Sequence, residues 1–128
     1  MKQRIAIEQL DELAEQQKEK VREWWYGSPP RLSDVYVVKV KYDDLTRYEG
    51  PHIYSGHRDF LEDYYTGEAL PFLSIGQMID LLESNGCGIS MSTYKDEWEV
   101  AARKDGISKV AIEKELCDTL WNVLKQIL

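Results

Sequence analysis

The stretch "GPHIYSGHRDFLED", residues 50–63, gathers His52, His57, Asp59, Glu62 and Asp63 within twelve residues. Imidazoles and carboxylates are ordinary ligands of a catalytic metal, and about three of them, held rigidly, leave a position open for water or substrate. His52, His57 and Asp59 would form that set. Their His-x4-His spacing matches no frame that aims two imidazoles at one ion, as the helical HExxH frame does. The plainer reading of the same residues is an exposed acidic loop that holds no metal or other cofactor.

Nucleophilic chemistry has three candidates. Cys87 lies between Gly86 and Gly88, where a thiol could be accessible, but no second element of sequence marks a base for it. Cys117 falls on the apolar arc of a helical pattern and reads as a small core residue. Ser55, in "YSGH", lacks the flanking residues of a nucleophile elbow. Two cysteines with neither CxxC nor a Cys/His ligand spacing also argue against a zinc site or a disulfide framework. None of these groupings meets the geometric requirements of an active site, and a non-enzymatic protein is the better expectation.

The aromatic residues suggest recognition instead. Tyr48, Tyr54, Tyr64 and Tyr65 sit among acids, and tyrosine offers contact area at low entropic cost. Trp24 and Trp25 are adjacent, so on a helix their side chains point about 100° apart and need not enter the same core. One of the two could contribute to an interface, where large aromatics are enriched. The competing reading makes the tyrosines pins for a long loop and the tryptophans caps on the core. Trp98 and Trp121 fall on expected core faces, and packing accounts for them.

The 128 residues carry a net charge of −7. Residues 43–68 contribute −5 of this, from seven acids against Arg47 and Arg58. Phosphate-backbone binding runs on Lys and Arg that displace counterions, so direct binding of DNA or RNA is disfavoured. Acids spaced like phosphates could instead imitate DNA. No apolar run follows the basic residues of "MKQRIAIEQLDELAEQQ", and no stretch could span a bilayer. The expectation is a soluble, unprocessed, cytoplasmic chain.

These residues must be positioned by elements, and the pattern suggests one domain over 1–128. Leu10, Leu13, Ala14, Val21, Trp24 and Trp25 recur at roughly helical spacing, with the stripe thinning from Gln16 to Lys20. This predicts one helix exposed at its middle, or two short ones, stopped at Gly27 and "GSPP". "DVYVVKVKY" predicts a strand. From 43 to 69 the pattern fails, which predicts a long acidic, Tyr-rich excursion with at most a short strand near "HIYSG".

"LPFLSIGQMIDLLES" writes out a helix start. Ser74 is an N-cap, Gln77 completes a capping box, and Leu73 can staple onto Met78. Gly76 lies in the first turn, where N–H groups can hold an anion, but no Gly-rich loop or nearby lysine supports a phosphate there. Its expected role is close packing of that turn. "CGISMSTYKDEWEVAAR" predicts a hairpin in which Ile89, Met91 and Thr93 face Ala102, Val100 and Trp98. A terminal helix is expected over roughly 109–127, burying Leu116, Cys117, Leu120, Trp121, Val123, Leu124, Ile127 and Leu128. Together these give an α+β fold in which a small antiparallel sheet is covered by helices. Its core runs helix, strand, strand, helix after an N-terminal helix and strand.

The combination "LPFLSIGQMIDLLE", "EWEV" and "ELCDTLWNVLKQIL", with "IEQLDELAEQQKEKVREWW" before it, resembles small uncharacterised proteins encoded by bacteriophages and prophages. From Leu73 onward the order of elements is similar to phage sandwich domains that cover a sheet with helices. The shared motifs are hydrophobic and architectural, so the resemblance implies ancestry and brings no functional residues. The expected function is that of a phage or prophage accessory protein, working by contact with a host or phage protein. Wide apolar arcs on two helices also allow a homodimer. A metal-dependent enzyme built on His52, His57 and Asp59, or an acidic DNA mimic, are the alternatives.

Overall fold

The computed structural model describes residues 1–27, 31, 32, 34–56 and 69–128. Its helices pack on two small antiparallel three-stranded sheets, an α+β architecture. The chain gathers into two compact units, Ala6–Phe72 and Leu73–Leu128, the second joined by Met1–Ile5.

The Ala6–Phe72 unit begins with α1 (Ile7–Leu10) and α2 (Glu15–Tyr26), so the N-terminal helical pattern resolves into two pieces. The break falls before Glu15, upstream of the stretch where the apolar stripe thins. At each start a glutamine closes on the capping position: Ala6 N–H donates to Gln9 Oε1 at 2.7 Å and Ala14 N–H to Gln17 Oε1 at 2.8 Å. With alanine as the cap residue, each glutamine satisfies a donor that the helix leaves open. β1 (Val35–Tyr42) runs between β2 (Leu45–Ile53) and β3 (Ala69–Pro71), both antiparallel to it.

β2 occupies the start of the segment read as an irregular excursion. Its pairing with β1 shifts between Tyr36, opposite His52, and Val38, opposite Glu49. Gly50 and Pro51 thus stand against Val37 alone, a bulge that resets the in/out alternation. Pro51 fits because β2 is an edge strand. Trp25, Tyr36 and Ala69 form one buried cluster, with Trp24, Tyr26, Val38 and Tyr54 packed on it.

In the other unit, α3 (Ile75–Ser84) starts as expected. Gln77 N–H donates to Ser74 Oγ at 3.1 Å, and Ser74 N–H to Gln77 Oε1 at 2.9 Å. Leu73 and Met78 are both fully buried. Gly76 is not a packing glycine: a Cβ there would meet nothing nearer than Ser74 Oγ at 4.0 Å. Ile75 N–H is taken by the carbonyl of Gln3 at 3.0 Å, so the N-terminal segment claims a first-turn donor that an anion would need.

β4 (Gly88–Tyr94), β5 (Glu97–Lys104) and β6 (Ile107–Glu113) follow in a meander. The hairpin register is the expected one, Ile89 opposite Ala102, Met91 opposite Val100 and Thr93 opposite Trp98. Only the middle of that face is buried, at Val100 and Ala102, and Met91 remains 45% exposed. β6 was not expected, and it shortens the terminal helix to α4 (Leu116–Ile127). The cause is the turn at Asp105 (φ 52°) and Gly106 (φ 78°). Two consecutive positive φ values make the hairpin turn whose twist matches paired strands, and Asp-Gly is well suited to it. β-branched Ile107, Val110 and Ile112 then continue as a strand.

α4 packs on β5, β6 and α3. Of its expected apolar arc, Leu116, Cys117, Leu120, Trp121, Val123 and Leu124 are buried, whereas Ile127 and Leu128 are half-buried. Thr119, outside that expected arc, is also fully buried. Its hydroxyl donates to the Glu115 carbonyl at 2.7 Å, which removes the cost of burying it. Among the described residues, no helix is long and apolar enough to cross a membrane.

Candidate functional site: a charged cleft in the Ala6–Phe72 unit

α2 presents Lys18, Val21, Arg22 and Trp25 inward, at positions i, i+3, i+4 and i+7 of one stripe. Two of the four are cations. Lys18 and Arg22 are 8% and 7% exposed. Burying like charges four residues apart is unfavourable in itself, so what compensates them matters.

Tyr48, on β2, serves both. Lys18 Nζ sits 5.1 Å from the centre of its ring, and Arg22 Nη2 donates to its hydroxyl at 2.8 Å. A cation over a tyrosine face is attracted by the ring quadrupole, more strongly where water is excluded. The carboxylates are peripheral. Glu19 accepts from Arg22 Nη1 at 3.1 Å and Glu15 from Lys18 at 3.4 Å, with the two acids 59% and 74% exposed. Arg22 Nε is buried without a hydrogen-bond partner.

A cleft of about 510 Å³ opens beside Lys18 and Tyr48. One wall, from α1, the turn after it and the start of α2, carries Glu8, Asp11 and Glu15. Lys18, also from α2, and Lys39, Thr46, Arg47 and Tyr48 from the strands line the rest. Among the described residues, the ion pairs at this cleft are Lys18 with Glu15, within α2, and Arg47 with Glu49, within β2. Neither spans from the helices to the strands.

At its strand end the cleft adjoins a surface triad. Glu49 Oε1 accepts from the Tyr42 hydroxyl at 2.7 Å and from Arg47 Nη2 at 3.1 Å, and Arg47 lies 4.9 Å over the Tyr42 ring. The Tyr42 hydrogen bond, helped by Arg47, holds the Glu49 carboxyl below the usual carboxylate range. The Glu49 hydrogen bond in turn raises Arg47. Glu49 and the Tyr42 ring thereby hold the Arg47 guanidinium at the cleft's edge.

The residues singled out by sequence fall in several places. Tyr48 lines the cleft. Trp25 is buried in the aromatic cluster, with half-buried Trp24 and Tyr54 packed on it. Trp25 lies over Tyr36, ring centres 6.4 Å apart, and its indole N–H points to Asp34 Oδ2 at 3.5 Å. These contacts pack Trp25 into the core, whereas Trp24 and Tyr54 keep part of their surface exposed. Tyr64, Tyr65, His57 and Asp59 lie outside the described residues, as do Glu62, Asp63 and Glu68.

His52 is an exposed strand residue whose ring lies 5.3 Å from that of Tyr36. Among the described residues, no three His, Cys, Asp or Glu side chains come together as metal ligands. Ser55 is exposed, and Cys87 and Cys117 are buried. Burial pushes the Cys117 thiol up to about 11, which keeps it protonated and unreactive at neutral pH.

Lys18 and Arg22 escaped the sequence reading because charged residues on a helix are normally assigned to its solvent side. Their spacing with Val21 and Trp25 was the available signal. The cleft can hold a ligand by charge, hydrogen bonds and a tyrosine face. No protein-family model, curated protein or solved structure matches the chain.

Proposed function

We propose that this chain is a non-enzymatic accessory protein of phage or prophage type that acts by binding another protein, and that the charged cleft of the Ala6–Phe72 unit is where it does so. The observation that carries this reading is the buried pair Lys18 and Arg22, whose carboxylate partners are both at the periphery. Buried charge that a fold does not fully compensate costs stability, and a binding site is a common reason to retain it. The cleft offers donors, acceptors and one aromatic face, the means of recognition. The resemblance of the helix-start and terminal-helix motifs to phage-encoded proteins supports the biological setting.

The test is affinity capture from a bacterial host lysate at low and at high salt, with the Lys39→Ala variant in parallel. A specific partner should be retained at low salt, weakened at high salt because exposed charges are screened, and reduced by Lys39→Ala. Absence of a partner at both salt concentrations would sink the protein-binding reading.

A further inference from the structure

The helix side of the cleft carries Glu8, Asp11 and Glu15 beside Lys18, the strand side carries Lys39 and Arg47, and among the described residues no ion pair joins the two sides. Glu8, Asp11 and Lys39 make no side-chain hydrogen bond or ion pair among the described residues. Lys18 has a side chain only 10% exposed and, among the described residues, a single hydrogen bond, to Glu15 at 3.4 Å, for an ammonium with three N–H donors. An anion alone would meet Lys18 and Lys39 favourably but would be repelled by Glu8, Asp11 and Glu15. A cation alone would meet the reverse. A ligand with both charges can satisfy the acids and the lysines at once, in a volume within the range of small-ligand sites.

Resting on the protein-binding reading, we infer that the occupant is a segment of a partner protein carrying one acidic and one basic side chain close together. The acidic side chain lies against Lys18 and Lys39, where the Tyr48 ring backs the lysine. The basic side chain lies against Glu8 and Asp11. This arrangement rewards correct spacing of the two charges and rejects segments of a single sign, so it provides specificity as well as attraction.

The probes are acetylated, amidated peptides containing one lysine and one glutamate separated by zero, one or two glycines, with lysine-only and glutamate-only peptides beside them. Binding is read by titrating the amide NMR signals of the full chain. At least one mixed peptide should move the Lys18, Lys39 and Tyr48 signals and bind more tightly than either single-charge peptide. Its affinity should fall about tenfold in Lys39→Ala, in Asp11→Asn and in Lys18→Met, the scale of one charged hydrogen bond. If the buried Lys18→Met substitution prevents folding, the two exposed positions carry the test.

Equal binding of single-charge peptides, no movement of those signals, or affinity unchanged in both exposed variants overturns the inference. A host partner captured equally by wild type and Lys39→Ala would leave protein binding standing and remove the cleft as its site.

Discussion

Arg22 Nη2 donates to the Tyr48 hydroxyl across the gap between α2 and β2 at 2.8 Å, and this bond ties a buried guanidinium to a residue that lines the cleft. Replacing Tyr48 by Phe keeps the ring beneath Lys18 and removes the acceptor. Arg22 would then hold a second buried nitrogen without a partner, beside its Nε. Leaving a buried donor unsatisfied costs about 1–3 kcal/mol. Urea denaturation of Tyr48→Phe should show a lower midpoint with an unchanged slope, and an unchanged midpoint would mean that water replaces the hydroxyl freely.

The residues around this contact show where sequence was informative. Ser74 with Gln77 and the Ile89/Ala102, Met91/Val100 and Thr93/Trp98 pairs were legible because capping and strand register depend on neighbours close in the chain. β2 was not legible, because the Gly50–Pro51 bulge breaks its alternation and much of the strand is exposed. β6 overlaps the start of the expected terminal helix, and what separates the two is the Asp105-Gly106 turn, whose two positive φ values favour a hairpin. Of the cleft, Tyr48 was visible as a residue type. Its partners Lys18 and Arg22 were not, since the burial of a charge is decided by a β-strand 26 to 30 residues away in sequence.

Two glycines should respond in opposite directions to alanine. Gly76 lies inside α3 with open space around its Cβ position. Gly76→Ala should stabilise by about 0.5–1 kcal/mol, because alanine loses less backbone freedom on entering a helix. Gly106 also faces open space, but at φ 78°, where an L side chain meets its own backbone. Gly106→Ala should destabilise by about 1–2 kcal/mol. The two denaturation midpoints, measured against wild type, check the pair, and movement in the same direction would contradict it.

The surface triad predicts a pH effect in the acid range. The Tyr42 hydroxyl, assisted by Arg47, lowers the Glu49 pKa in the folded chain. The resulting stabilisation is present above the ordinary carboxylate value of 4.5 and is lost as pH falls through the lower folded value. Because the group is exposed, its effect on stability is small. The direct measurement is a carboxyl carbon NMR titration, in which Tyr42→Phe should move the Glu49 midpoint upward toward 4.5. No movement would mean that Arg47 alone sets it.

Cys117 predicts the opposite limb. Burial of the inward face of α4 raises its thiol from 9.0 to about 11 in the folded chain. Between those values the unfolded chain loses the thiol proton while the folded chain keeps it, so the unfolded state is favoured as pH rises. The contribution is therefore complete below pH 9 and disappears toward pH 11. Other groups titrate in this range, which makes the difference between wild type and Cys117→Ala the informative quantity. The variant loses packing at every pH but has no thiol to ionise, so the stability gap between the two proteins should narrow steadily as pH is raised from 8 through 11. A gap that stays constant would mean that the thiol ionises equally in both states, and that Cys117 is reachable by water in a way its full burial does not suggest.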